Sequence, residues 1–110
     1  MFTGIDSDAY LESLLVQADY YQSEGLIETA RAKMEQARQQ APDEDAITFG
    51  LAELDYMSDL NDQALPLYQD LRQRQTMFGE VNLNQRVFQT LAKLGRYEEA
   101  AAFINDHKED

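Results

Sequence analysis

The side chains able to do chemistry are few and one-sided. The chain carries no cysteine, one histidine, and 21 Asp and Glu against nine Lys and Arg. Without cysteine there is no disulfide, no thiol nucleophile and no thiolate zinc site. His107 stands three residues from the end, where a lone imidazole reads as a solvated side chain and not as an acid–base catalyst. The run Asp43-Glu44-Asp45 lacks the alternating ligands and the glycine of an EF-hand loop. Its expected job is to start a helix, with Asp43 as N-cap and the charges complementing the helix dipole. Asp55, Asp59 and Asp62 span a turn and read as a solvated edge. No phosphate loop, nucleophile elbow or metalloprotease helix motif occurs. The expectation is a protein that is not an enzyme and takes no cofactor or metal.

Charge narrows the partners. The formal net charge is −12, with six acids and no base before Arg31, and eight acids and no base between Arg38 and Arg72. Such a field repels phosphate backbones and anionic lipid, so neither nucleic acid nor a membrane surface is expected. A neutral or basic protein partner is favoured in approach, although acidity also serves plain solubility. The first 13 residues have no basic region and no long apolar run, and no stretch nears the roughly 20 apolar residues that span a bilayer. A cytoplasmic location is expected.

The elements come from a repeat. Ala30, Ala64 and Ala100 stand 34 and 36 residues apart. Twelve positions before each come Ala18, Ala52 and Phe88, and four after each come Met34, Tyr68 and Ile104. Self-similarity at this period marks stacked helical hairpins, since one unit cannot bury its apolar face alone. Leu11, Leu14, Leu15, Ala18 and Tyr21 give helical spacing over 8–24, broken at Gly25. Helices are predicted over 27–40, 44–58, 62–73, 81–94 and 97–105, with Pro42 and Gly95 as breaks and a longer connection over 74–80. Pro66 is expected near enough to a helix start to be tolerated. The six tyrosines at helical spacing are expected mostly in the core. The fold class predicted is all-α, a superhelix of three antiparallel hairpins in one domain over 1–110, with units near 11–44, 45–78 and 81–110.

These residues resemble the tetratricopeptide repeat. Leu14, Ala18, Tyr21, Gly25, Ile27, Ala30, Met34, Ala37 and Pro42 follow that family's order of large, small, aromatic, glycine and proline positions. The second unit keeps Leu51, Ala52, Ala64 and Tyr68, but has Asp55 for an aromatic, Asp59 for a glycine and Thr76 for a proline. The third keeps Leu91, Gly95, Tyr97 and Ala100, with Phe88 in a small-residue slot. The strings LLVQADYYQSEGLIETARAKMEQARQQAPDE and VNLNQRV are similar to internal stretches of long cytosolic multi-repeat proteins of Gram-positive bacteria. That likeness implies a fragment of a longer superhelix.

The resemblance implies that the first helix of each hairpin lines a concave surface. By register this places Glu12, Leu15, Asp19 and Gln22 in unit one. It places Phe49, Glu53, Tyr56 and Met57 in unit two, and Asn82, Gln85, Arg86, Gln89 and Lys93 in unit three. Leu15, Phe49, Tyr56 and Met57 suit a peptide or helix with apolar anchors, or else pack on neighbouring helices. One branch of the family clamps a peptide carboxylate. Leu15 and Asp19 stand where that branch has Lys and Asn, which argues against acidic tails. The implied function is a protein-interaction module that binds a partner's peptide or helix. The alternatives are a purely architectural segment and a peptide-sensing regulatory domain. The latter needs a helix-turn-helix segment that these residues do not contain. If the end helices lack neighbours, Leu11, Leu14 and Val16, and Val87, Leu91, Phe103 and Ile104, leave apolar surface for self-association.

Overall fold

The computed structural model describes residues 4–74 and 82–107, with side chains from Asp8 onward. Six helices follow in order: α1 Gly4–Ser23, α2 Ile27–Gln40, α3 Asp45–Met57, α4 Asn61–Gln73, α5 Leu83–Lys93 and α6 Tyr97–Asp106. No strand occurs among the described residues. The chain is an all-α helical repeat. Residues 75–81, most of the predicted long connection, lie outside the described residues, and Thr76 with them.

One hydrogen-bond motif makes all three hairpins. Gly25, Asp59 and Gly95 take positive φ of 79°, 61° and 78°. Each amide bonds back to the third carbonyl before it: Gly25 to Gln22, Asp59 to Tyr56, Gly95 to Ala92. The next amide bonds five residues back: Leu26 to Tyr21, Leu60 to Asp55, Arg96 to Leu91. These paired bonds satisfy the orphan carbonyls of the ending helix. The carbonyls of Leu26, Leu60 and Arg96 then accept from Ala30, Ala64 and Ala100, opening the returning helix. The aspartate in the glycine slot thus adopts the glycine conformation, which Asp tolerates better than most residues.

The three repeat alanines are buried at 2% exposure or less, so the paired helices cross closely there. The main core gathers Leu51, Tyr68, Leu71, Val87 and Leu91, and a second cluster holds Leu14, Ala37 and Ile47. Met34 packs against both. Principal helix contacts run between consecutive helices, as in a one-dimensional stack. The molecule measures 50 × 28 × 21 Å.

Several expectations need correction. Glu44, not Asp43, precedes α3, and no side chain caps that helix. The only side-chain cap bond at a helix start among the described residues is at α5, where Asn82 accepts from the Gln85 amide. Pro66 is the sixth residue of α4, beyond the first turn, so the bond to the Asp62 carbonyl is missing. Burial of Leu65, Leu67, Tyr68 and Leu71 holds the helix across that gap. Of the six tyrosines only Tyr68 is fully buried, whereas Tyr10, Tyr20 and Tyr97 are exposed. Leu14, Val87 and Leu91, expected at exposed ends, are buried against both their own hairpins and the neighbouring one, while Val16 and Ile104 remain open. His107 is half-buried, stacked on Phe103 with ring centroids 4.3 Å apart, and its Nδ1 lies 2.8 Å from the Phe103 carbonyl.

Candidate functional site

The four unit-one residues meet in one open groove of about 390 Å³, lined by Glu12, Leu15, Asp19 and Gln22. Their spacing of three and four puts them on one stripe of α1. Val16 and Ala18 complete that wall, and Met34 of α2 and Gly50 of α3 close the floor. Glu12, Asp19 and Gln22 are exposed, while Leu15 is half-buried. No ion pair among the described residues involves Glu12 or Asp19. The sequence supplies no base before Arg31, so these carboxylates face the groove without a cation of their own helix.

The unit-two and unit-three residues do a different job. Glu53 of α3 accepts from Arg86 of α5 at 2.8 and 3.2 Å, and from the Tyr68 hydroxyl at 2.5 Å. Burial works against ionisation of Glu53. The hydrogen bonds from Arg86 and Tyr68 outweigh it and hold the carboxyl below the usual glutamate range. The Tyr68 phenol is pushed well above its ordinary value by burial and by its bond to Glu53. Tyr56 donates to Gln89 at 3.0 Å, and its ring lies under Arg86 at 4.5 Å and Lys93 at 4.6 Å. Phe49 and Tyr56 pack against the main core. Glu53, Arg86, Tyr56 and Gln89 therefore staple α3 to α5, and Glu53 is no free acid of the groove. Gln85 and Met57 are open to solvent, Met57 at 70% exposure.

Sequence reasoning missed two things. The first is the groove floor. From sequence Met34 reads only as a repeat position, and Gly50, a glycine in mid-helix, is the available signal. A Cβ on Gly50 would stand 2.9 Å from Met34 Cε, so the missing side chain makes room for the methionine. The second is Asp55. It is not part of a solvated edge: it is fully buried and accepts from Arg31 of α2 at 2.7 and 3.0 Å. Burial pushes its carboxyl above the usual aspartate range, against the pull of the Arg31 guanidinium. In the slot where an aromatic was expected, a bidentate pair joins α2 to α3. Asp59 and Asp62 are exposed as expected.

Among the described residues, no group of three His, Asp or Glu stands close enough to hold a metal ion. None of their helices is long and apolar enough to cross a membrane. The three stacked hairpins are built in the manner of a tetratricopeptide repeat. The chain belongs to the YpiA-like tetratricopeptide repeat family, whose model matches residues 22–76. It is 35% identical over 92 residues to the TPR repeat-containing protein YpiA of Bacillus subtilis (strain 168). That alignment covers 84% of this chain and 22% of the relative, so the chain spans about a fifth of the curated relative's length. No solved structure matches. Repeats of this family serve as interaction scaffolds and are typically non-enzymatic.

Proposed function

We propose that this chain is a non-enzymatic module that binds a peptide or helix of a neutral or basic protein partner along α1 and α3. The observation that carries the reading is the α1 groove. It combines apolar lining from Leu15, Ala18 and Met34 with Glu12 and Asp19, which have no ion pair among the described residues. Leu15 packs on the second core cluster and also lines the groove, and Val16 beside it is exposed. Met57 offers a further exposed apolar contact on α3. Phe49 and Tyr56, half-buried on the main core, lie outside the groove lining but keep part of their surface open on α3.

A second reading, an architectural segment of a longer superhelix, draws on the same open surface and on the share of the relative that is covered. A displayed random-peptide library, selected on the immobilised chain, separates the two. The binding reading expects sequences enriched on the native protein and lost on a Leu15→Asp, Asp19→Lys variant. Enrichment that survives this variant, or none at all, contradicts it. The variant's dichroism spectrum should match the native one, since neither side chain is fully buried.

A further inference from the structure

Resting on that reading, we infer that the α1 groove is a receptor for a lysine or arginine side chain of the protein partner. Such a side chain has an aliphatic stem and a cationic head, and it lies best where apolar surface ends in carboxylate. The groove has that order. Leu15 lies midway between Glu12 and Asp19 on one stripe, and Met34 and Gly50 close the floor beneath. The two acids stand seven residues apart, so about 10 Å separates them along the helix axis. A single head between them stays within Coulombic reach of both, and two heads about 10 Å apart match them one to one.

Charge complementarity fixes the sign of the occupant. No base precedes Arg31 in the sequence, and neither acid has an ion pair among the described residues. Farther along, Glu53 is already paired with Arg86 and offers no free carboxylate to a ligand. An acidic or amide side chain would meet repulsion, or gain nothing, at Glu12 and Asp19. A purely apolar one would leave both carboxylates facing it.

The test uses n-butylguanidinium as probe and n-butylurea as its neutral counterpart, followed by nuclear magnetic resonance of the whole chain. The guanidinium should produce saturable shifts at Leu15, Met34 and Gly50. Its affinity should exceed that of the urea at least threefold and drop to the urea's level in a Glu12→Gln, Asp19→Asn variant. Gly50→Ala, whose Cβ would stand 2.9 Å from Met34 Cε and so displace this lining residue while favouring the helix, should weaken both probes. Equal binding of the two probes, shifts elsewhere, or no saturation would overturn the inference. Free spermidine is the rival source of the same cation chemistry. Spermidine binding more tightly than a selected Lys- or Arg-bearing peptide would also overturn it. Library peptides that depend on the groove yet lack a basic residue would sink this inference and leave the proposed function standing. If no peptide depends on the groove, both fall.

Discussion

Gly25, Asp59 and Gly95 turn the chain at the same place in each hairpin, and only Asp59 has a side chain there. Left-handed backbone costs an L-residue about 1–2 kcal/mol, somewhat less for Asp. Nothing lies within 4 Å of a Cβ added at Gly25 or Gly95, so Gly95→Ala should lose about 1 kcal/mol through backbone strain alone. Asp59→Gly should gain about 0.5 kcal/mol, because the 3.7 Å contact with Lys93 is exposed and contributes little. Urea midpoints check both signs. The buried Asp55–Arg31 pair gives a pH-dependent prediction. Arg31→Met strands a buried carboxylate and should cost about 3 kcal/mol at neutral pH. Since burial raises the Asp55 pKa in the folded state, the neutral carboxyl is the better-tolerated form. The stability it contributes is present below the unfolded-state pKa and is lost as pH rises through the folded one. The Arg31→Met penalty should therefore shrink on acidification. A penalty that grows toward acid would contradict the pairing. Glu53 has the opposite sign: its depressed pKa supports the fold above its unfolded value and ceases to as pH falls through the folded one. Glu53→Gln should flatten the acid limb of the stability profile.

The helices were legible in the sequence to within a few residues at their ends, because apolar spacing and the breaks at Gly25, Pro42 and Gly95 act locally. The period of 34 and 36 residues reappears as identical turns at residues 25, 59 and 95. What the sequence concealed lies between elements. Asp55 looks like any surface acid until α2 brings Arg31 to it, 24 residues away in the chain. Glu53 and Arg86 are 33 residues apart, and no local pattern pairs them. The unit-one stripe was readable because all four residues share one helix, whereas Met34 and Gly50 join it only through packing. The crossing alanines belong to this scale. Ala30 and Ala64 have no exposed surface, so Ala30→Leu and Ala64→Leu should each cost about 1–3 kcal/mol by overpacking. Leu15→Ala, at a half-buried position, should cost about 1 kcal/mol. Denaturation midpoints in the reverse order would mean that the crossings lie elsewhere.

Across the whole molecule, the −12 net charge opposes contact between copies, while Val16, Tyr20, Met57 and Tyr97 offer exposed apolar surface. Burial of Leu14, Val87 and Leu91 leaves less of it than the terminal helices alone would suggest. Any self-association should strengthen as salt screens the repulsion. Sedimentation velocity at low and high salt reads this directly, and weakening with salt would point to ion pairs instead. A basic partner feels the same field as attraction, so its association rate should fall with salt while self-association rises. On the proposed reading, the stripe formed by α1 and α3 is the docking face. Backbone nuclear magnetic resonance of the chain, titrated with a library-selected peptide, tests it most directly. Shifts should concentrate at Glu12, Leu15, Asp19, Gln22 and Gly50. Shifts confined to the exposed residues of α2, α4 and α6 would contradict it.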